Sequence, residues 1–505
     1  MNTKALRQKV LDLAIHGKLV PQNPNDESAT VLLEKIRAEK AEKIKKGELK
    51  ADKKDSFIFV GSDKRHYEQF ADGTVKDIED EIPFDVPEGW AWCRLGYICS
   101  LHDGDKIEKQ LQYLDAKHFR RKGTTICNSG KYVAENSYLI LVDGENSGEV
   151  FYTETAGFQG STFKILNINT IIFNKYVLYL IRKEQDLLRN SKVGSAIPHL
   201  NKQLFKDLLI PIPSFLEQKK LVSTTDKAFN TIDELENNKI ELSTVITKTK
   251  AKILDLAIHG KLVPQDANEE PASVLLEKLR AEKEDKIAKG ELKRDKNDSY
   301  IYKGSDNCYY QRFTDGHDED ISEEIPYELP KSWTWSRIKD ICTINPKNKL
   351  DDNLEVSFIP MALIDAGYTN YHGQETKLWK DIKSGFTHFA ENDVAIAKIT
   401  PCFENKKSVI LRNLKNGYGA GTTELYIFRP TNAVLSKYIL WLVKSNDFIN
   451  TGVGNFSGVV GQQRLVRDIL EEYFVPLPPI AEQNRIVSKI EELFSSLDII
   501  STNLE

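Results

Sequence analysis

The chain has 505 residues, of which 40% are hydrophobic and 29% charged, and its formal net charge is -5. This length predicts three or four structural units, and the composition is that of an ordinary globular protein. No apolar run approaches the roughly 18 residues of a membrane span, and the first ten residues lack the apolar segment of a signal peptide. The six cysteines include no CxxC pair, which argues against disulfides and zinc. We therefore expect a cytoplasmic protein that binds no metal and no membrane.

An internal repeat organises the chain. Residues 11–99 align without a gap with residues 254–342 at an offset of 243, and 54 of the 89 pairs are identical. A shorter repeat, at an offset of 265, pairs IPIPSFLEQ with VPLPPIAEQ. The stretches between these blocks, 100–209 and 343–474, show no visible resemblance to each other. The sequence therefore predicts a duplicated frame that carries two different inserted domains.

Seven segments follow from this repeat in chain order. A first helix is followed by a connector with a charged helix, the first inserted domain, a long central helix, a second connector of the same kind, the second inserted domain and a final helix. Their predicted bounds, in that order, are 1–15, 16–84, 85–215, 216–258, 259–327, 328–479 and 480–505.

The connectors contain segments in which Lys and Glu alternate, from Lys35 to Lys54 and from Lys278 to Lys296. Such sequence is typical of a solvated helix followed by a polar loop. Contact with phosphate and docking of partner subunits both stay open for these segments, since affinity for phosphate depends on local basic surface rather than on net charge.

The central helix is predicted from apolar residues at a spacing of three and four between residues 221 and 256. The same spacing occurs at 486–504 and at 6–13. By the two offsets, the final and first helices together reproduce one copy of the central helix, so we expect the unbroken helix to pair with a split one. The predicted class is α+β: two mixed α/β, strand-rich domains, separated and joined by long antiparallel coiled-coil helices in a pseudo-twofold duplication.

No catalytic motif is recognisable in the sequence. It contains no phosphate-binding GxxxxGK(S/T) loop, no HExxH and no GxSxG. An amino-methyltransferase that flips its target base would need an (N/D)PP(Y/F) element. The NPN at residues 23–25 and the NPK at residues 345–347 both lack the second proline and the aromatic residue. We therefore expect a chain without a catalytic centre or a bound cofactor of its own.

Each inserted domain contains an apolar strand that ends in a polar, glycine-containing loop. In the first domain YLILVDGENSGEVFY precedes GFQGSTFKILN, and in the second DVAIAKITPCFENKKSVI precedes GYGAGTTELYIF. Asn, Ser, Thr and Lys side chains hydrogen-bond to base edges and phosphates, and glycine allows close approach of the backbone. The alternative interpretation is that these segments are ordinary hairpin turns.

The sequence resembles the specificity subunit of type I restriction–modification systems over essentially its whole length. The stretches that carry the resemblance are EIPFDVPEGWAWCRL and EIPYELPKSWTWSRI at the start of the inserted domains, GSAIPHLNKQLFKDLLIPIP and GQQRLVRDILEEYFVPLPPIAEQ at their ends, KITPCFENKK in the second domain, and the two LDLAIHGKLVPQ helix ends.

This resemblance implies that the inserted domains are target-recognition domains, each of which reads one half of an asymmetric, interrupted site in double-stranded DNA. It also implies that the helices fix the gap and dock two methyltransferase subunits, which restriction/translocase subunits join. Methylation in such systems is of adenine N6, and the resemblance implies that S-adenosylmethionine, ATP and Mg²⁺ are bound by the partner subunits. The chain itself is then non-catalytic.

By position, the DNA contacts of the first domain are expected in its polar loops and near its closing segment. They are Asn146, Ser147, Gln159, Ser161, Thr162, Lys164, His199 and Lys202. The corresponding expectation for the second domain covers two loops and the closing segment. These residues are Lys398, Thr400, Asn405, Lys406, Lys407, Thr422, Thr423, Gln462, Gln463 and Arg464.

Two other functions stay open from the sequence. A stand-alone DNA methyltransferase or nuclease with degenerate motifs would bind labelled S-adenosylmethionine as an isolated chain. A coiled-coil protein-interaction adaptor would show no sequence-dependent DNA affinity even in a reconstituted complex. Because the chain is acidic, we expect a specificity subunit of this sequence to bind DNA weakly by itself and with strong salt dependence.

Overall fold

The computed structural model describes residues 2–50, 55–191, 199–294, 298–459 and 463–503. The chain divides into two compact units, unit 1 (Met1–Asn238) and unit 2 (Lys239–Glu505). None of the helices in the described part of the chain has the length and apolar character needed to cross a membrane.

The helices of unit 1 are α1 (Thr3–Ile15), α2 (Ala29–Lys45), α3 (Leu95–Ile98), α4 (Ala116–Phe119), α5 (Asn174–Lys183), α6 (Gln185–Asn190), α7 (Lys202–Asp207) and α8 (Phe215–Ile258), which continues into unit 2. Four of these helices, α1, α2, α4 and α7, begin at a polar side chain that accepts from a free backbone N–H group, as Asn2 accepts from the Ala5 N–H at 3.0 Å. The strands are β1 (Ser56–Val60), β2 (His66–Phe70), β3 (Val75–Asp77), β4 (Ala91–Arg94), β5 (Cys99–His102), β6 (Lys106–Leu114), β7 (Thr125–Val133), β8 (Ser137–Leu141), β9 (Val150–Thr153), β10 (Gly157–Gln159), β11 (Phe163–Ile168) and β12 (Leu209–Ile212).

Unit 1 contains a connector sheet and the sheets of the first inserted domain. Strands β1, β2 and β3 form an antiparallel sheet after the charged helix α2. In the inserted domain, four antiparallel strands are ordered β5-β11-β8-β9, while β6, β7 and β10 close on one another with β10 parallel to β6. Strand β4 pairs with β12, so the first and last strands of the domain lie side by side. The main core includes Ile140, Leu166, Val177 and Leu221, which join the four-stranded sheet to α5 and to the start of α8.

The elements of unit 2 follow the same plan. Its helices are α9 (Ala272–Ala288), α10 (Ile338–Ile341), α11 (Trp379–Ile382), α12 (Ser436–Val443), α13 (Asn446–Val453), α14 (Arg467–Glu471) and α15 (Ile480–Thr502). Its strands are β13 (Ser299–Lys303), β14 (Tyr309–Phe313), β15 (Asp318–Asp320), β16 (Thr334–Arg337), β17 (Cys342–Ile344), β18 (Glu355–Ile359), β19 (Glu375–Leu378), β20 (Thr387–Ala390), β21 (Val394–Ala397), β22 (Ser408–Ile410), β23 (Tyr418–Gly421), β24 (Leu425–Pro430), β25 (Phe456–Ser457), β26 (Arg464–Leu465) and β27 (Phe474–Leu477).

The two inserted domains share most of their topology although their sequences show no visible resemblance. They differ in the second sheet, which is the closed set β10-β6-β7 in unit 1 and an open sheet ordered β19-β18-β23-β20 in unit 2. The sheet ordered β17-β24-β21-β22 repeats the order of the four-stranded sheet in unit 1, and β23 is parallel to β18 as β10 is to β6. Strand β16 pairs with β27 as β4 pairs with β12. The buried hydroxyl groups of Tyr176 and Tyr438 donate to the carbonyl oxygens of Pro211 and Pro476, at 2.9 Å and 2.6 Å. The likeness of the domains therefore lies mainly in backbone pairing, together with this shared side-chain contact.

The first helix packs against the first half of the central helix. Arg7 forms an ion pair with Asp233 and lies 5.3 Å from the ring centre of Phe229. Leu11 packs with Phe229 and Ile232. Because positions further along α1 meet positions earlier in α8, this helix pair is antiparallel.

The final helix makes the equivalent contacts with the second half of the central helix. Lys250 pairs with Asp498, and its ammonium lies 5.1 Å from the ring centre of Phe494. The two offsets found in the sequence relate Lys250 to Arg7, Asp498 to Asp233 and Phe494 to Phe229. Together with the repeated sheets, these contacts confirm the predicted α+β class and the internal duplication, with one copy of the helix divided between the two ends of the chain.

A buried glutamine joins each inserted domain to its helix. Gln218 accepts from the Phe173 N–H at 2.8 Å and donates to the Pro213 carbonyl at 2.9 Å. Its equivalent, Gln483, accepts from the Leu435 N–H at 2.9 Å and donates to the carbonyl oxygens of residues 433 and 478. Both side chains are fully buried, so the angle at which each domain leaves its helix is set by internal hydrogen bonds.

The charged connectors are exposed helices followed by small sheets. Most residues of α2 and α9 are exposed, and Lys43 forms an ion pair with Glu39 one turn away, at 2.6 Å. The guanidinium groups of Arg37 and Arg280 lie 3.8 Å and 3.9 Å from aromatic rings of the adjoining sheets. These contacts attach each helix to its sheet, and a role in binding phosphate or partner subunits stays a prediction.

Candidate nucleic-acid interface

Three segments that are distant in sequence lie side by side in unit 1. They are the loop between β8 and β9, the turn between β10 and β11, and the segment that closes the domain. The Val142 N–H donates to the Thr162 carbonyl at 2.8 Å, the Leu200 N–H donates to the Val142 carbonyl at 2.7 Å, and Asp143 forms a β-bridge with His199. We call residues 142–149, 160–164 and 199–202 surface 1.

Unit 2 brings the equivalent segments together in the same way. The Lys398 N–H donates to the Glu424 carbonyl at 3.0 Å, and the Leu465 N–H donates to the Lys398 carbonyl at 2.8 Å. Ile399 forms a β-bridge with Arg464. We call residues 398–407, 422–424 and 463–467 surface 2. The two surfaces thus have one backbone pattern, on which different side chains are mounted.

Glycine is required where each turn leaves its strand. A Cβ atom at Gly160 would lie 2.7 Å from the Leu114 carbonyl oxygen, and one at Gly421 would lie 2.6 Å from that of Ile359. Both carbonyls belong to the strand that runs parallel to the one before the turn. The glycines in the GFQGST and GYGAGTT segments therefore permit close approach of backbone to backbone inside the domain.

Surface 1 presents some of its predicted contacts to solvent. Ser161, His199 and Lys202 are exposed, and Asn146 and Thr162 are half-buried. The imidazole Nδ1 of His199 lies 2.7 Å from a carboxylate oxygen of Asp143. These side chains supply both hydrogen-bond donors and acceptors at one edge of the domain, as recognition of base edges and phosphates requires.

Other predicted contacts of the first domain are held inside it. The Ser147 hydroxyl is buried and donates to the Gly144 carbonyl at 2.7 Å. Gln159 is also buried, and its amide donates to Asp103 and to the Phe163 carbonyl, at 2.6 Å each. Lys164 pairs with the same Asp103, and this ion pair is the main reason that the pKa of the Asp103 carboxyl lies well below its usual range. These side chains support the loops, and we look to the exposed residues for direct contacts.

The predicted contacts of surface 2 also include both exposed and half-buried side chains. Asn405, Thr423 and Arg464 are exposed, and Lys398, Thr422 and Gln463 are half-buried; Gln462 lies outside the described residues. The Lys398 ammonium lies 5.3 Å from the ring centre of Tyr426. The Thr422 hydroxyl accepts a hydrogen bond from the Glu424 N–H at 3.2 Å, which fixes the turn. The exposed members again combine donors with acceptors.

The ammonium group of Lys406 is held by partners inside the domain rather than facing solvent. Its ammonium donates to the Lys444 carbonyl at 2.8 Å, to Asn446 at 2.7 Å and to the Tyr368 hydroxyl at 3.2 Å. Burial lowers the pKa of Lys406 to about 8. The fully buried Lys444 donates to the carbonyl oxygens of Gly367 and Lys406, and burial, together with the nearby Lys406, lowers its pKa to about 7. The two lysines hold the β21–β22 loop against the helices behind it.

Two further predicted residues of this loop also point to internal partners. Lys407 donates to the Met361 carbonyl at 3.1 Å. Thr400 is buried, its N–H donates to the Gln463 carbonyl at 3.0 Å, and its hydroxyl finds no hydrogen-bond partner among the described residues. Thr400 thus ties the loop to the closing segment.

Sequence reasoning missed the acidic members of the two surfaces. Asp143 and Glu424 each pair with an exposed basic side chain, whereas the sequence-based expectation covered only donors and neutral polar side chains. The offset of 265 carried a usable signal. Extended backwards from the proline-rich segments, it pairs His199 with Arg464 and Leu200 with Leu465.

Surfaces 1 and 2 carry side chains that can hydrogen-bond to a polar ligand. Among the described residues, no group of three or more His, Cys, Asp or Glu side chains could hold a metal ion. Their loops offer hydroxyl, amide, imidazole, ammonium and guanidinium groups on a fixed backbone, which suits recognition of a polar polymer such as DNA.

Comparison with known proteins shows the family of the chain. A family model described as "Type I restriction modification DNA specificity domain" matches residues 87–243 and 330–505. The chain is 44% identical over 255 residues to the EcoAI specificity subunit of Escherichia coli, and 42% identical over 264 residues to the EcoEI specificity subunit of the same organism. These alignments cover 50% and 52% of this chain but only 40% and 41% of those relatives.

A solved structure has a similar fold. It belongs to work on complex assembly and conformational transition of the type I restriction–modification system, and its chain matches 84% of this one and 94% of its own length. The TM-score is 0.52 at 14% sequence identity, so this likeness concerns the fold alone. Because the family model matches more than half of the chain, the protein belongs to the type I restriction–modification DNA specificity family.

Proposed function

We propose that this chain is the DNA sequence-specificity subunit of a type I restriction–modification complex and that it catalyses no reaction itself. Each inserted domain reads one half of a bipartite, asymmetric site in double-stranded DNA. The helices carry two methyltransferase subunits, and restriction/translocase subunits join them. S-adenosylmethionine, ATP and Mg²⁺ are bound by those partners, and the complex acts in the cytoplasm.

One observation supports this function most directly: the same three-segment surface is built twice from different side chains. In unit 1 the bridged residues are Asp143 and His199, and in unit 2 they are Ile399 and Arg464. Sequence is read in DNA by the pattern of donors, acceptors and apolar groups that meet the base edges. Two surfaces with one backbone and different side chains therefore suit two different half-sites. Family membership does not favour a stand-alone enzyme or a protein-binding adaptor.

A domain replacement tests the proposal. Residues 95–208 are replaced by residues 338–473, so that both units carry the second recognition domain between strands that already pair in the same register. The hybrid is co-expressed with the methyltransferase subunit in a host without adenine methylation, and N6-methyladenine is mapped across the genome. We expect a new target in which both halves are the half-site of the second domain, with no methylation of the original target.

A second replacement is the matched control. Exchange of connector residues 29–77 for residues 272–320 changes many exposed side chains but neither surface, so the methylated sequence should stay the same. Methylation of the original target by the domain hybrid would contradict the proposal. A changed target in the connector hybrid would contradict the assignment of reading to surfaces 1 and 2.

A further inference from the structure

In both surfaces, a basic side chain at one equivalent position contacts a carboxylate. The offset of 265 relates His199 to Arg464, and each forms a β-bridge with the loop that follows the central strand of its sheet. His199 pairs with Asp143 on that loop, whereas Arg464 pairs with Glu424 on the neighbouring turn. Both units thus place a basic residue at the same position. The residue type differs, and so does the element that supplies the carboxylate.

The backbone beneath Arg464 is fixed from two sides. The next residue, Leu465, is buried; its N–H donates to the Lys398 carbonyl at 2.8 Å, and its carbonyl accepts from the Tyr426 hydroxyl at 3.1 Å. The Arg464 side chain itself is 45% exposed. The partly exposed guanidinium is thus mounted on a backbone that is hydrogen-bonded on two sides.

Glu424 fixes the orientation of that guanidinium. Its two carboxylate oxygens accept from Nε at 3.0 Å and from Nη2 at 2.8 Å of Arg464. The Glu424 backbone is held by Thr422 and Lys398, and the hydrogen bond with Arg464 is the main reason that the pKa of the Glu424 carboxyl is lowered. An arginine that is oriented before DNA arrives loses less conformational entropy on binding.

The neighbouring carboxylate also decides what this arginine can bind. Phosphates carry a full negative charge, and a carboxylate that already neutralises the guanidinium repels them. The O6 and N7 atoms of guanine are neutral acceptors, spaced to match the fork of a guanidinium in the major groove. In surface 1 the carboxylate of Asp143 contacts Nδ1 of His199 and so fixes the orientation of that ring.

We propose that Arg464 is a specificity-determining residue of surface 2 that reads a guanine in its half-site, and that Glu424 is a positioning residue that orients it. His199 and Asp143 hold the corresponding place in surface 1 and act on the other half-site. This inference rests on the proposed function, because it assumes that the two surfaces face base edges.

The test uses the complex of this chain with its methyltransferase subunits. Arg464→Lys and Glu424→Gln are assayed for binding to duplexes in which each base pair of the target is changed in turn, and for the sequence that they methylate. We expect Arg464→Lys to weaken binding of the true target roughly 10-fold to 100-fold and to abolish discrimination at one G·C pair of a single half-site. Glu424→Gln relaxes the same base pair to a smaller extent, and the other half-site is read as before, which shows that the variants are folded.

The chain offers a matched control pair. Arg312 and Asp318 form the same two-point ion pair in the connector sheet of unit 2, at 2.7 Å and 2.6 Å. Arg312→Lys and Asp318→Asn should leave the target and its affinity unchanged.

Three results would overturn the reasoning, and they are distinguishable. Equal weakening of all duplexes by Arg464→Lys, with a salt slope reduced by about 1, would identify a phosphate contact instead. Relaxation of a different base pair by Glu424→Gln would make Glu424 a reader rather than a positioning residue. Absence of any preferred sequence in the wild-type complex would overturn the proposed function itself.

Discussion

The glutamine that joins each recognition domain to its helix provides a quantitative test of the fold. In unit 2, Gln483 makes three internal hydrogen bonds, at 2.9, 3.1 and 3.0 Å, to backbone groups of residues 433, 435 and 478. Replacement by leucine keeps the volume but leaves one N–H and two carbonyl groups without this partner. Gln218, its equivalent in unit 1, makes two such bonds.

The expected cost follows from the number of orphaned groups. A buried polar group that loses its partner costs about 1–3 kcal/mol, and the leucine side chain offsets part of this by burying more apolar surface. We therefore expect Gln483→Leu to lower the free energy of unfolding of unit 2 by about 3–5 kcal/mol and Gln218→Leu to lower that of unit 1 by about 2–3 kcal/mol. We expect the larger loss of stability for Gln483→Leu because the Gln483 side chain makes three hydrogen bonds.

Hydrogen exchange read peptide by peptide measures the two units separately, because each can open on its own. Gln483→Leu should accelerate exchange in the core of unit 2 and leave unit 1 unchanged, and Gln218→Leu should do the reverse. Gln203→Leu, at an exposed position of α7, is the control and should change stability by less than about 0.5 kcal/mol. A loss below about 1 kcal/mol for Gln483→Leu would refute the idea that these bonds hold the domain to its helix.

Three other variants test separate parts of the molecule. Burial lowers the pKa of Lys444 to about 7 from an ordinary value of 10.5. Between these pH values the unfolded chain binds more protons than the folded one, so unit 2 gains stability as the pH rises. Lys444→Met should remove this part of the gain, which urea unfolding at pH 7 and at pH 10 measures. Lys202→Ala should weaken binding of all DNA sequences equally and lower the salt slope by about 1 if this exposed lysine contacts phosphate; a change in target sequence would contradict that role. A Cβ atom at Gly419 would lie 2.3 Å from the ring of Phe389, so Gly419→Ala should cost about 1–3 kcal/mol in thermal unfolding, whereas Gly373→Ala, with no atom nearer than 3.5 Å, should cost much less.

The frame could be predicted from the sequence because its repeat has no gap and 54 of its 89 residue pairs are identical. When the offset of 243 is added to the bounds of β1–β3, it gives the bounds of β13–β15 residue for residue. The kinship of the inserted domains could not be predicted, because it resides in backbone hydrogen bonds. Val142 and Lys398 occupy equivalent places in the backbone hydrogen-bond pattern, as do Thr162 and Glu424. In both pairs, however, the two residues are of different chemical types.

The candidate site was predictable as loops but not as individual side chains. Gln159, Lys406 and Ser161 are all polar residues of glycine-containing loops, and the sequence treats them alike. In the structure Gln159 is buried with three hydrogen bonds, Lys406 is held by three acceptors, and Ser161 is exposed. The difference depends on which distant segment folds against each loop, which local pattern does not reveal.

The pairing of the first and last strands of each recognition domain has an evolutionary consequence. Arg94 lies opposite Leu209 in unit 1, and Arg337 lies opposite Phe474 in unit 2, in the same register. A domain of this topology can thus be exchanged whole, because its two ends meet a pair of strands that either unit already supplies. The DNA that encodes the first of these strands lies within the long repeat, where homologous recombination finds a partner. Two crossovers, one at each end of a recognition domain, would give a lineage a new target sequence while every helix of the frame stays as it was.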